Sequence, residues 1–428
     1  MTNSFSDRLT DLFRWRLDPV MLTVAGALLV IGLMMMSSAS ISIAEKNFGD
    51  PLHYLQKQMV FALIGLAGVA AAMSVPARFW EWSGYLALML AFLALIAVLV
   101  PGIGHTVNGS TRWIRLGFMN FQASEAARLL MLFYVCSYLV RHNEQVRQNF
   151  MGFAKPMFFV VLASCLLLLE PDFGAATVLL GVTLGVLFIG GVKFRHYAVL
   201  VIAAVAAMAL MAFSSPYRVA RLTAFLDPWQ DPFGGGFQLT QSLIAIGRGE
   251  IFGVGLGDSV QKLFYLPEAH TDFVFAVLAE EFGLIGCVTV VALFFALVAR
   301  GFAIARRAVR MELLFHAYLA FGISIWFALQ SFINIGVNMG ALPTKGLTLP
   351  LMSYGGSSLI MSMVSIGLLL RIYHEVVGVE TQVDMAPLTA SNASRKAAAN
   401  ATKAAAKKAA ARKKAKAAEP AKKRRRAA

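Results

Sequence analysis

Residues 266–300 read LPEAHTDFVFAVLAEEFGLIGCVTVVALFFALVAR, a polar approach, a long apolar run and a closing Arg300. A helix needs about 20 mostly apolar residues to cross a bilayer, so 272–299 reads as a membrane span with Asp272 at its mouth. Glu280 and Glu281 lie inside that run, about 12 Å of helix rise below Asp272. Acids at such depth are costly and mark either function or a buried partner. At about 100° per residue, Glu281 points opposite Asp272 and Glu280 stands about 80° away. Those two acids are therefore expected to make structural contacts to arginine or backbone, apart from any chemistry at Asp272. For Asp272 two readings stay open, an acid capping the helix dipole and a base at the mouth of a cavity. Glu268, His270 and Asp272 alternate, but three residues do not establish a cation site.

Working outward, the rest of the chain has the same character. Of 428 residues, 58% are hydrophobic and only 14% charged, against roughly 25% charged in a soluble domain. That excludes a water-soluble enzyme and a disordered scaffold, and leaves an all-α polytopic membrane protein. Ten spans are expected, near 20–43, 57–75, 83–101, 124–141, 153–169, 172–191, 196–214, 272–299, 311–337 and 350–373. Arg8, Arg14, Arg16, Arg78, Arg141, Arg147, Lys155, Lys193, Arg195, Arg300, Arg306, Arg307 and Arg310 gather on one side, which makes both termini cytoplasmic by the positive-inside rule. The loop 215–271 is then extracytoplasmic, and its turn formers and aromatics predict an ordered segment. Gly253, Gly255 and Gly257 superficially suggest a phosphate cradle, but without a flanking strand they read better as a turn.

The net charge of +15 belongs mostly to one end. From Leu388 onward there are 14 Lys/Arg and the single acid Glu419, leaving 24 Lys/Arg against 22 Asp/Glu in the body. The basic balance is no evidence for nucleic-acid binding. Residues 377–428 read as a low-complexity cytoplasmic tail suited to anionic lipid, and 1–18 as a cytoplasmic segment with an interfacial helix. The membrane domain is 19–376, opened by an uncleaved anchor rather than a signal peptide. Cys136, Cys165 and Cys287 fall in apolar runs and show no disulfide framework or metal spacing.

Polar residues concentrate in three further stretches. NGSTRWIRLGFMNFQASEAARLL (108–130) places Arg112, Trp113 and Arg115 in a loop, then Gln122, Ser124, Glu125 and Arg128 where a span begins. Glu125 and Arg128 share a helical face and are spaced to pair. LLLEPDFGAA (167–176) sets Glu170 and Asp172 at a tight turn, and NMGALPTKGLTLPLMSYGGSSL (338–359) breaks its helix at Pro343 and Pro350 around Lys345. Charged clusters converging on one membrane face suit a charged head group.

With QASEAARL, EPDFGAA, the block from Gly234 to Gly283 and NMGALPTKGLTLPLMSYGGSS, the chain resembles the SEDS proteins (shape, elongation, division and sporulation) from about residue 20 to 375. PTKG around Lys345 is similar to the division branch rather than the elongation branch. Ala123 stands where proline is usual and Arg128 where lysine is common. The resemblance implies a peptidoglycan glycosyltransferase that polymerises lipid II, with the GlcNAc 4-hydroxyl attacking MurNAc C1 and undecaprenyl pyrophosphate leaving with inversion. It implies Asp272 as base, with Arg112, Arg128 and Lys345 toward pyrophosphate or sugar. Glu125 and Asp172 would line the cavity, with Gln122, Ser124 and His270 further substrate contacts. A divalent cation (Mg²⁺ or Mn²⁺) and no organic cofactor are expected. Expected partners are lipid II, undecaprenyl-linked glycan, a class B penicillin-binding protein of the septal FtsI type, and FtsQ–FtsL–FtsB regulators. The competing readings are a lipid II flippase and a non-catalytic scaffold.

Overall fold

A computed structural model describes residues 16–107, 110–115, 117, 119–195, 197–199, 201–202, 206, 225–344 and 346–383. The expected span 196–214, the segment 1–15, Lys345 and the tail from 384 onward lie mostly or wholly outside the described residues. The chain divides into Met1–His374 and Glu375–Ala428, and everything below concerns the first part.

The helices in order are α1 (Pro19–Phe48), α2 (His53–Ser74), α3 (Ala77–Trp82) and α4 (Gly84–Leu99), then α5 (Ala123–Arg141), α6 (Asn143–Gln148), α7 (Phe150–Leu169) and α8 (Phe173–Ile189). They continue with α9 (Phe237–Gly249), α10 (Val274–Arg310), α11 (Leu314–Asn338) and α12 (Gly356–Val383). Among the described residues seven of these are long and apolar enough to cross a membrane, with α4 and α8 as shorter apolar helices. Leu63, Leu93, Phe158 and Phe295 are over 60% exposed on the outside, while Tyr134, Phe275, Trp326 and Phe327 fill the inside. Large apolar side chains facing outward need lipid around them, so the chain is a multi-pass membrane protein.

Local chemistry sets the helix ends. Asp18 caps α1 by accepting from the Met21 N–H at 3.0 Å ahead of Pro19, and Gly49 closes the helix at φ +68°. A cap of this kind contributes about 1 kcal/mol. The same Asp18 accepts from Arg300 Nε at 2.7 Å, tying the start of α1 to α10.

Two features depart from the sequence reading. Arg112, Trp113 and Arg115 lie not in a loop but on a strand, β2 (Ser110–Arg115), between β1 (Gly104–Val107) and β3 (Asn120–Gln122) in an antiparallel sheet. The all-α expectation is corrected to that extent. Short apolar-polar alternation separated by Asn-Gly is a hairpin signal, here outweighed by the surrounding helical pattern. Secondly, α10 is not a straight span opened by Asp272. It begins at Val274, runs 37 residues and is broken at Gly283, where φ is +61° and ψ −157°.

The break is filled by the loop before it. Leu284 and Ile285 donate their N–H groups to the carbonyls of Glu250 (3.0 Å) and Ile251 (3.2 Å). Val254 and Gly255 donate in turn to the carbonyls of Glu280 (3.0 Å) and Glu281 (3.1 Å). Irregular backbone at such depth is tolerated when protein satisfies it. Gly253, at φ +82°, is needed because a Cβ there would fall 2.6 Å from Phe282 Cα. The glycine cluster is thus a turn packed on a helix kink, as expected, and no cradle.

Candidate active site

Asp272 stands in the turns that precede α10, and the helix has no side-chain cap, so the capping reading of this acid is not what the structure contains. Its backbone carbonyl is gripped by two asparagines of α11, accepting from Asn334 Nδ2 at 2.9 Å and Asn338 Nδ2 at 3.0 Å. Asn338 Oδ1 also accepts from the Ala276 N–H at 3.1 Å. Asn334 further donates to the Leu347 carbonyl at 2.6 Å, and Gln330 to that of Thr348 at 2.9 Å. Gln330, Asn334 and Asn338 recur every four residues, so one face of α11 holds both Asp272 and the segment after Lys345. The sequence reading missed these three. Their signal was available, as regularly spaced amides in an otherwise apolar span.

The carboxylate itself makes no hydrogen bond or ion pair with any described residue. Gly346 closes on it so tightly that a Cβ there would fall 3.2 Å from Oδ2. Burial pushes the acid up to about 7, the Glu268 charge adds to this, and Arg112 pulls it partly back. A carboxyl titrating near neutrality beside a guanidinium is suited to accept a proton.

Arg112 reaches from β2 to the α7–α8 turn. Its Nε donates to the Glu170 carbonyl at 3.2 Å and its terminal nitrogen to that of Pro171. Glu170 is fully buried, and neither side-chain oxygen has a hydrogen-bond partner among the described residues. Burial raises it to about 8, with the Asp172 charge adding and Arg112 opposing, so it holds a proton at neutral pH.

Asp172 caps α8 through Oδ1, which accepts from the Ala175 N–H at 3.0 Å. Its other oxygen accepts from Ser124 Oγ at 3.1 Å and Gln122 Nε2 at 3.2 Å. The Gln122 N–H donates to Ser357 Oγ at 2.8 Å, which joins β3 to the start of α12. Four predicted residues from two distant stretches, Arg112, Gln122, Ser124 and Asp172, are therefore brought to one wall.

Glu125 and Arg128 pair at 2.6 Å, as their spacing suggested. Arg128 also donates to Gln330 Oε1 at 2.8 Å and lies 4.8 Å above the Trp326 ring. Both residues are buried, which makes them part of the wall rather than a free charge in a cavity. His270 is buried too, its ring 4.8 Å from Tyr54 and 5.6 Å from Tyr354. Burial lowers its pKa while Glu268 opposes, so the ring is favoured neutral. Among the described residues no group of three or more His, Cys, Asp or Glu is placed to hold a metal ion. The described residues do not build a metal site from protein alone.

Glu280 and Glu281 make the structural contacts expected of them. Glu280 accepts from Arg248 (3.0 Å), Ser259 Oγ (2.5 Å) and the Val260 N–H (3.1 Å). Glu281 accepts from Lys262 Nζ (2.9 Å) and Ser38 Oγ (2.6 Å), a lysine and a hydroxyl in place of the arginine or backbone anticipated.

A multi-pass helical membrane protein with a near-neutral acid beside a guanidinium, at the entrance to a helix bundle, is the class defined by this fold and site. The chain belongs to the FtsW/RodA/SpoVE family of cell cycle proteins, which matches residues 19–377. It is 56% identical over 362 residues to the "Probable peptidoglycan glycosyltransferase FtsW" of Thioalkalivibrio sulfidiphilus, covering 85% of this chain and 90% of that protein. With the protein so named from Legionella pneumophila it shares 53% over 348 residues, 81% of this chain and 88% of the relative. Among solved structures, a chain from "Structural coordination of polymerization and crosslinking by a peptidoglycan synthase complex" superposes with TM-score 0.69 at 29% identity, covering 84% of this chain and 98% of that one. Thermus thermophilus "Rod shape determining protein RodA" does so with TM-score 0.63 at 28% identity, covering 84% and 97%. The SEDS resemblance read from the sequence is borne out.

Proposed function

We propose that this protein is a peptidoglycan glycosyltransferase that polymerises lipid II. The observation that carries the assignment of chemistry is the Asp272 carboxylate, held by its own backbone yet unpaired by any described residue, and raised to about 7. In this reading Asp272 takes the proton from the GlcNAc 4-hydroxyl of the acceptor. That oxygen forms a bond to MurNAc C1 of the donor chain as the bond to undecaprenyl pyrophosphate breaks, with inversion. Arg112, and Lys345 beside the Gly346 that touches Asp272, offset charge on the pyrophosphate. Gln122, Ser124 and Asp172 shape the sugar-binding wall, Glu125 and Arg128 brace it, and His270 packs the loop that carries the base.

A divalent cation (Mg²⁺ or Mn²⁺) enters this proposal only as one brought largely by pyrophosphate oxygens, because the described side chains do not form a site for it. The proposal keeps ten spans with both termini cytoplasmic, a membrane domain of 19–376 between segments 1–18 and 377–428, and the loop 215–271 outside. It places the protein in the bacterial inner membrane at the division septum. A class B penicillin-binding protein of the FtsI type and FtsQ–FtsL–FtsB are its proposed partners. A flippase would draw on intramembrane acids, and here Glu280 and Glu281 are already occupied by ion pairs.

The test is purified protein with labelled lipid II and Mn²⁺, with and without the cognate transpeptidase, products sized on a gel. Long glycan chains are expected from wild type; their absence under every partner condition would remove the polymerase assignment.

A further inference from the structure

The other end of α10 carries a feature that the proposed chemistry leaves unused. Arg300, Ala303, Arg306, Arg307 and Arg310 line an open cleft of about 370 Å³. Arg300, Ala303, Arg307 and Arg310 follow helical spacing on one face, with Arg306 beside them. Two of the four guanidiniums are fixed by the fold. Arg300 bonds Asp18 at 2.7 Å and lies 5.8 Å from the Tyr373 ring, and Arg307 lies 5.9 Å from the same ring. Arg306 and Arg310 are exposed and make no hydrogen bond or ion pair to a described residue.

Depth identifies the ligand class. Arg300 is the first charged residue after the uncharged run 282–299, whose Leu284, Ile285, Val288, Val291 and Phe295 face outward. It therefore marks the edge of the hydrocarbon, and Arg306 to Arg310 extend about 9–15 Å beyond it along the helix. That is the layer of phospholipid phosphates. Arginines at a helix C-terminus complement the dipole, and basic loops are ordinary on the cytoplasmic side. Neither effect requires them to wall a common concavity braced by an aromatic ring. A guanidinium fork matches phosphate oxygens in pairs.

We propose that this cleft binds the phosphate of an anionic phospholipid headgroup, with Arg306 and Arg310 as the contacting pair on a frame set by Arg300, Arg307 and Tyr373. The site is far along α10 from Asp272, so the inference stands independently of the glycosyltransferase reading.

The test is native mass spectrometry of the full chain released from mixed micelles holding phosphatidylglycerol and phosphatidylcholine in equal amounts. The proposal predicts preferential phosphatidylglycerol adducts, reduced about tenfold or more in Arg306→Gln/Arg310→Gln, because the paired guanidinium–phosphate hydrogen bonds are lost with the charges. The control Arg78→Gln/Arg195→Gln removes the same charge from exposed positions on the same side and should retain them. Equal loss in both variants would mean diffuse leaflet attraction and would overturn the cleft. Equal uptake of the two lipids would overturn it as well. Inorganic phosphate displacing the lipid at millimolar concentration would show a free-anion site, and would overturn the lipid assignment.

Discussion

The half-buried Asp272 and the fully buried pair Glu280–Glu281 lie on one short stretch and are all carboxylates, yet they are treated in opposite ways. Glu280 and Glu281 are fully buried and supplied with cations, a serine each and, for Glu280, backbone N–H groups. Apart from Ser38 of α1, their partners come from the segment 248–262, so the two acids fasten the loop into the α10 break. Asp272 has its backbone fixed by Asn334 and Asn338 while its carboxylate is left unpaired by the described residues. Compensation of a buried charge marks architecture; an uncompensated one held rigidly marks a site prepared for a ligand.

The largest effect should come from Asp272→Asn. Glycan synthesis should fall about 10³-fold, within the range for loss of a general base, with expression and thermal unfolding in detergent unchanged. Glu281→Ala should do the reverse. It strands the Lys262 ammonium, at a cost of about 3–5 kcal/mol, and should lower the unfolding temperature clearly. The apolar pair Glu281→Leu with Lys262→Met should recover most of that loss. If Glu281→Ala left stability untouched, the distinction between the two kinds of acid would fail.

Arg112→Ala should lower polymerisation about 10²-fold, the loss typical of one group that stabilises developing charge, without loss of folded protein. Because Arg112 holds the Asp272 carboxyl down, its removal should also move the activity profile to higher pH. The smallest effect concerns Glu268. Asp272 must be deprotonated to act, so wild-type activity should climb as pH rises through about 7 and be lost as pH falls below it. Glu268 raises that acid, so Glu268→Gln should slide the rise to lower pH. A profile that stays fixed in Glu268→Gln would remove this charge from the site.

Nine of the ten expected spans coincide with seven long and two shorter apolar helices among the described residues, because about 20 apolar residues in a row have few other uses in a chain this poor in charge. The acids at 280 and 281 make structural contacts as expected, although the helical phase was counted from Asp272, which precedes the helix, and Glu281 meets Lys262 and Ser38 rather than arginine or backbone. What escaped the sequence is what long-range pairing decides. The kink at Gly283 depends on Glu250 and Ile251 presenting carbonyls to it, which no local pattern encodes. The strand under Arg112 was hidden by its shortness, and Asp272 read equally well as a cap until the helix start fell at Val274. Gln330, Asn334 and Asn338 stand at helical spacing, but as neutral amides they carry far less of the burial cost that marks charged residues in a span.

The most direct test measures glycan chains made from labelled lipid II, at matched amounts of folded protein and in the presence of the partner transpeptidase, by wild type, Asp272→Asn and Glu280→Gln. The account predicts glycan synthesis about 10³-fold lower from Asp272→Asn, and from Glu280→Gln chains of normal length per folded molecule alongside a lowered unfolding temperature. Chains of normal length and yield from Asp272→Asn would contradict it.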